Sequence, residues 1–171
     1  VQGDEPIVNP SDILKSIDYK KKFPNSVINS YSYLKFNEDP FNKNIPKVIT
    51  NEKNDLIYIS RGIIPNSKNN KIENIKYKKQ VCIYSYFKEE LIEFLEYGRK
   101  SYLENIEDIE ILRFFEFNKK IKMLETKKSS LAVSTAPFEI YNIGNGKKVK
   151  LMKYIAEIER YLKVKAKKKY M

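Results

Sequence analysis

The strongest constraint on the fold is the run Gln80 to Phe87 (QVCIYSYF), in which apolar, β-branched and aromatic residues follow one another without a charge. Such a run suits a strand buried within a sheet. A Lys/Asn-rich loop over 66–79 precedes it and helical spacing follows it. Glu89 to Tyr97 reads as a short helix closed by Gly98, and Leu103 to Phe117 as a longer one. Upstream, Asn9-Pro10-Ser11-Asp12 is a helix start, with Ile13, Leu14 and Ile17 sharing one face to about Lys21. Val27 to Leu34 reads as a strand. Lys47 to Thr50 and Leu56 to Ser60, joined by the polar turn 51–54, read as a β-hairpin. Ile121 to Glu125 is a further strand and Leu131 to Val133 a short one. Strands alternating with helices predict an α/β domain with a mostly parallel sheet, whose sites gather at the carboxyl ends of strands. After Val133 the texture changes: Pro137 to Ile143 reads as a strand ending at Gly144-Asn145-Gly146, and Leu151, Ile155, Ile158 and Leu162 mark an amphipathic helix.

Chemistry is narrowed by what the chain lacks. It has no histidine and a single cysteine, Cys82, which excludes His/Cys zinc sites, Ser-His-Asp triads, Cys-His dyads and any internal disulfide. Carboxylates, Lys/Arg, hydroxyls or an oxygen-bound metal remain. The net charge of +11 is uneven: Lys147 to Met171 holds ten basic residues against two acidic, leaving 23 against 20 before it. A basic tail can bind phosphates or an anionic membrane as a non-catalytic module, but a solvated helix face accounts for it as well, and neither a nucleic-acid nor a membrane partner is expected. No apolar run approaches the ~18 residues of a membrane span, and the first residues lack a basic region followed by an apolar stretch. A cytoplasmic protein is expected.

Gln2-Gly3-Asp4-Glu5-Pro6 is the most informative short motif. A carboxylate at a strand end, beside a glycine that lets the backbone approach closely, can hold Mg²⁺ against a nucleotide's phosphates; an acidic turn before a helix is also an ordinary cap. The motif is the first of several ordered blocks. Val1 to Pro6, Lys47-Val48-Ile49 with Ile57 to Pro65 (IYISRGIIP), Ile83 to Tyr86 (IYSY), Leu103 to Arg113 (LENIEDIEILR) and Lys120 to Lys122 follow in sequence. Together they resemble the 3-deoxy-manno-octulosonate cytidylyltransferase (CMP-Kdo synthetase) family over residues 1–133.

The resemblance implies the nucleotide-diphospho-sugar transferase fold, a Rossmann-like three-layer α/β sheet, present here as its C-terminal part without the N-terminal strands. It implies transfer of CMP from CTP to 3-deoxy-manno-octulosonate or a close sugar acid, with release of pyrophosphate, for lipopolysaccharide or capsule synthesis, by a homodimer to which the 66–100 region contributes. Asp4 would be the Mg²⁺ ligand, Gln2 and Gly3 would approach the nucleotide or sugar, and Arg61 and Tyr84 would face the sugar acid. Glu110 would sit at the sugar end of the long helix. Three positions depart from the family pattern: Gln80 stands for its His, Ile111 for the Gln of EQLR, and Ser134 for its second metal-binding Asp. The first two point toward an amino derivative or a nonulosonate as the sugar acid; the third, with the missing phosphate loop, predicts that residues 1–171 by themselves are inactive. Thr135 to Met152, Tyr154-Ile155 and Ala166 to Met171 are similar to the C-terminal end of UDP-glucuronate 4-epimerases, without that family's dinucleotide-binding or catalytic motifs. A cytidylyltransferase part, 1–133, and an epimerase-like segment, 134–171, are therefore expected, with poor solubility or oligomerisation as the consequence of apolar faces left uncovered.

Overall fold

A computed structural model describes residues 8–69, 75–126 and 160 of the 171. The chain divides into two units, residues 1–136 and 137–171, and Arg160 is the described residue of the second. The elements expected at 131–133 and 137–143 lie outside the described residues, as does that at 151–162 except for Arg160, which is helical and exposed.

Helix α1 (Pro10–Lys22) begins as its sequence predicts: the Asn9 side chain accepts from the Ser11 amide at 3.0 Å, and Pro10 occupies the first turn. Its deepest face differs from the expected one. Asp12, Ser16 and Lys20, four residues apart, are buried, whereas Ile13, Leu14 and Ile17 are only half-buried. Burial of this polar stripe is offset by partners. Ser16 Oγ lies 2.7 Å from Ser85 Oγ, Lys15 meets Asp12, and Lys20 Nζ reaches both Glu90 oxygens at 2.8 and 2.7 Å and the Pro24 and Ser26 carbonyls.

The strands are β1 (Ser26–Tyr33), β2 (Lys47–Thr50), β3 (Leu56–Ser60), β4 (Lys78–Ser85) and β5 (Lys120–Glu125), in the sheet order β3-β2-β4-β1-β5. The mixed α/β class holds, but the expectation of a mostly parallel sheet does not. Among the described residues only β1 and β5 pair in parallel; β1–β4, β2–β3 and β2–β4 are antiparallel. The pairing follows the chain: β2 and β3 form a hairpin, which reverses direction, and β4 lies on the other edge of β2, running the same way as β3 and opposite to β2 and β1. β1 is buried from Ser26 through Ser32 despite its serines and Asn29, because the sheet covers both its edges and core residues lie on its faces.

One side of the sheet packs Val27, Tyr31, Ile59, Ile121 and Met123 against Ile111, Leu112 and Phe114. A smaller cluster joins Val81 and Ile83 of β4 to Val8 and Ile13. β4 thus divides by parity, odd residues toward α1 and Tyr84 and Tyr86 toward the larger core. Helix α2 (Lys88–Glu96) follows and ends at Gly98, whose φ of 68° suits a glycine.

The long helix expected over 103–117 is three pieces: α3 (Tyr102–Glu107), a 3-10 turn (Glu110–Leu112) and α4 (Arg113–Glu116). Asp108 breaks it with φ 50° and ψ 50°, a conformation short polar side chains tolerate. Ile109, Ile111, Leu112 and Phe114 are all buried. That spacing is too dense for one face of a 3.6-residue helix, so burying all four requires the chain to turn.

Candidate functional site

Arg61 follows the last residue of β3 and is tied to the end of α3 by both backbone and side chain. Its amide donates to Glu107 Oε2 at 2.8 Å, while the Ser60 hydroxyl donates to Glu107 Oε1 at 2.7 Å. Its guanidinium donates from Nε to the Glu107 carbonyl at 2.6 Å, from Nη2 to the Asp108 carbonyl at 3.0 Å and from Nη1 to the Lys43 carbonyl at 3.1 Å. The carbonyls that end a helix lack intrahelical donors, and a cation there also opposes the helix dipole. On the other side, the fully buried Lys47 donates from Nζ to the Arg61 carbonyl at 2.8 Å and to that of Asn42 at 3.0 Å. Burial pushes the Lys47 ammonium down from its ordinary pKa, against the opposing pull of Asp39 and Glu107.

At the Glu110 end of the 107–110 turn lies a small cavity of about 70 Å³, lined by Tyr84, Tyr86, Leu91, Phe94, Glu110, Ile111 and Phe114. The rings form a continuous stack: Tyr84 and Tyr86 lie 6.1 Å apart and 10° from parallel, and Tyr86 and Phe114 5.8 Å apart and 22° from parallel. Glu110 supplies the one carboxylate of the lining. Burial pushes the Tyr84 hydroxyl well above its ordinary value, and burial with the Glu110 charge pushes Tyr86 up to about 12. Both phenols therefore stay protonated at neutral pH, as hydrogen-bonding groups rather than bases. Gln80 donates from Nε2 to the Tyr84 hydroxyl and to Asn29 Oδ1, each at 3.1 Å, and Asn29 returns two bonds to the Val81 and Ile83 carbonyls of β4.

The turn that carries Glu110 and Ile111 is braced from below. Arg113 donates from Nε and Nη2 to the two Glu104 oxygens at 2.6 and 2.5 Å, and its guanidinium lies 3.8 Å from the Phe94 ring centroid. Ser101 and Glu104 form a capping box at the start of α3. Burial raises the Glu104 carboxyl, but Arg113 and the Ser101 amide outweigh it and hold the group below the usual carboxylate range.

The blocks that carry this geometry match a family model described as cytidylyltransferase over residues 1–121. The chain belongs to the cytidylyltransferase family. Three relatives named 3-deoxy-manno-octulosonate cytidylyltransferase each share 34% identity with it. That of Flavobacterium johnsoniae aligns over 80% of this chain and 56% of its own length. Those of Christiangramia forsetii and Fusobacterium nucleatum align over 79% of this chain and 55% and 54% of theirs. A solved structure of CMP:2-keto-3-deoxy-manno-octonic acid synthetase complexed with CTP is similar with a TM-score of 0.64 and 28% identity, over 74% of this chain and 51% of that one. The chain thus spans about half the length of the cytidylyltransferases it matches.

Of the site residues expected in this chain, the fold brings Tyr84 and Glu110 into one cavity and hydrogen-bonds Gln80 to Tyr84. Glu110 stands at the start of the 3-10 turn, not on a long helix. Arg61 does not line that cavity; it sits at the other end of the 107–110 turn. Gln2, Gly3, Asp4 and Ser134 lie outside the described residues. Among the described residues no cluster of three or more Asp, Glu or Cys side chains could hold a metal ion, and no helix is long and apolar enough to cross a membrane. Sequence reasoning missed Lys47, Glu104, Glu107 and Arg113. The recurrence of Glu104, Glu107 and Glu110 every three residues was the available signal, but it resembles the solvated face of a continuous helix. A larger cleft of about 680 Å³, lined in part by Tyr33, Phe36, Pro40 and Tyr77, holds none of the expected residues.

Proposed function

We propose that this chain is part of an enzyme that transfers CMP from CTP to 3-deoxy-manno-octulosonate or a close sugar acid, for lipopolysaccharide or capsule synthesis. The observation that carries the reading is the likeness to a CTP-bound CMP-Kdo synthetase over 74% of the chain, supported by the convergence of Tyr84 and Glu110 on one cavity. In the reaction the anomeric hydroxyl oxygen forms a bond to the α-phosphorus of CTP, the bond from that phosphorus to the β-phosphate's bridging oxygen breaks, pyrophosphate departs and the hydroxyl proton passes to solvent. Arg61 faces the sugar acid's carboxylate: among the described residues, three of the five guanidinium N–H donors have partners. Glu110 accepts from sugar hydroxyls, and Tyr84, held by Gln80, donates its phenol proton. Gln2 and Gly3 would approach the nucleotide or the sugar. Mg²⁺ held by Asp4 would neutralise the triphosphate and polarise the α-phosphate.

Ile111 and Gln80 favour an amino derivative or a nonulosonate as the alternative sugar acid. A homodimer is supported by the apolar side chains that α2 leaves exposed, Leu91, Ile92 and Leu95. The absence of a membrane-crossing helix among the described residues is compatible with a cytoplasmic enzyme. For 134–171 we propose an epimerase-like segment, on its sequence pattern alone.

The test is pyrophosphate release by the protein as its own gene encodes it, with CTP, Mg²⁺ and each sugar acid in turn. Asp4→Asn is expected to lower the rate by about 10²-fold or more, because the triphosphate loses its placement. Full activity in Asp4→Asn would overturn the metal assignment, and a faster reaction with an amino or nine-carbon sugar acid would establish the alternative substrate.

A further inference from the structure

We propose that Glu107 is a positioning residue that sets the relation between Arg61 and Glu110, so that the two ends of the sugar acid are read at a fixed spacing. The inference rests on the reading of Arg61 and Glu110 as sugar-acid contacts, and it adds a residue to which no role has been assigned.

The observations are all at α3. Glu107 is the last residue of that helix and lies three residues before Glu110. One carboxylate oxygen takes the Arg61 amide at 2.8 Å; the other takes the Ser60 hydroxyl at 2.7 Å and lies 3.4 Å from the Tyr58 hydroxyl. The Glu107 carbonyl takes Arg61 Nε at 2.6 Å. Arg61 and Glu107 are thus locked to each other twice, main chain to side chain in each direction. Neither guanidinium nor carboxylate can swing away without uncovering a backbone group of the other. Beyond Glu107, the left-handed Asp108 turns the chain toward Glu110, and its side chain is held at 2.8 Å by Lys100. Glu104, one turn back on α3, grips Arg113, three residues after Glu110. The short helix therefore acts as a strut, with β3 bound to its C-terminal end and the Glu110 turn bound at both of its own ends.

This arrangement separates two jobs. Arg61 has donors to offer a carboxylate, whereas Glu107 has its oxygens committed to Arg61 and Ser60. Its contribution to the reaction is to hold Arg61 at one distance from Glu110. Misplacement by an ångström can cost a well-oriented reaction on the order of 10²-fold. The Ser60 hydroxyl also accepts from the Gly62 amide at 2.9 Å. It retains acceptor capacity for one more donor, so a glutamine at 107 can keep the Arg61 amide on its oxygen and donate its amide to Ser60.

Two readouts on the protein as its own gene encodes it test the proposal with Glu107→Ala and Glu107→Gln. The first needs no activity: hydrogen exchange of the Arg61 Nε–H followed by NMR. Exchange is expected to speed up by about tenfold or more in Glu107→Ala and to stay within about threefold of the parent in Glu107→Gln, since local opening controls it. The second is kinetic. Glu107→Ala is expected to raise KM for the sugar acid by about tenfold or more with KM for CTP within about twofold, and Glu107→Gln to recover most of that loss. Unchanged exchange in Glu107→Ala, or equal rises in both KM values, would overturn the proposal, the latter because it signals general loosening. If the parent forms no CMP-sugar at all, the proposed function fails by itself, and the exchange readout still decides whether Glu107 holds Arg61.

Discussion

The two ends of the 107–110 turn are built by opposite means. Toward β3, the contact is polar and directional: the Glu107 carboxylate takes the Arg61 amide and the Ser60 hydroxyl, and the Arg61 guanidinium and the Lys47 ammonium donate to backbone carbonyls. Toward α2, the contact is a stack of Tyr84, Tyr86, Phe94 and Phe114 rings with Glu110 at its side. The polar side has one arrangement that satisfies its groups, so a single deletion leaves a buried group unpaired. The aromatic side is defined by volume and shape, and its cavity is small but adjustable through side chains such as Ile111 and Leu91. A site that holds a fixed carboxylate on one side while discriminating between sugar acids on the other is well served by that division.

The sharpest break in the comparison comes from one deletion on each kind of contact. Glu104→Ala strands Arg113 beside the Phe94 ring and is expected to cost about 3–5 kcal/mol, because an uncompensated partner remains. Phe114→Ala is expected to cost about 3–5 kcal/mol through lost burial and the cavity left behind. Denaturant unfolding at neutral pH measures both. Acid separates them. The folded Glu104 carboxyl is held below its ordinary value of 4.5, so its contribution is fully present above that value and is lost as pH falls through the folded pKa. The gap between the parent and Glu104→Ala should therefore narrow below that value, while the gap for Phe114→Ala holds; a Glu104→Ala gap that holds equally would show that packing, not charge, carries both sides.

Smaller effects refine the picture. Ser101 caps α3 through the Glu104 amide at 3.2 Å. Ser101→Ala is expected to cost about 1 kcal/mol, measured as a shift of the denaturation midpoint. A loss within error would mean that Arg61 and Glu107 hold α3 without its cap. The least effect is expected at the rim, where Lys119 meets Glu93 at 2.9 Å with both side chains partly in water. Lys119→Ala should change stability by no more than about 1 kcal/mol, and less at high salt. A larger, salt-insensitive loss would extend the polar network to α2 and the turn before β5.

Much of this was legible along the chain. The Asn9-Pro10 start of α1, the hairpin at 47–60, the Gly98 stop and β5 appear where periodicity, turn residues and caps placed them, and the strand expected over 80–87 appears two residues earlier, at 78–85, with alternate rather than continuous burial; each is decided by residues within a few positions of one another. The ordered blocks that resemble the cytidylyltransferases pointed to Tyr84 and Glu110, which do share a cavity. Ser16 and Lys20 were illegible as buried residues, since polar side chains report burial only when their partners are known, and those partners, Ser85 and Glu90, lie about 70 positions away.

What the amino-acid sequence determined by itself, then, is the local geometry and the family. Caps, turns and apolar runs act over a few residues, and a family's motifs survive as short strings. Only the tertiary structure decided that β4 runs antiparallel between β2 and β1, that the helix over 103–117 breaks at Asp108, and that Glu107 belongs to Arg61 rather than to solvent. The first and last pair residues that are far apart in the chain, the second buries neighbouring apolar residues against distant ones, and each is settled by satisfying buried polar groups and filling the core together, a condition no single segment can express.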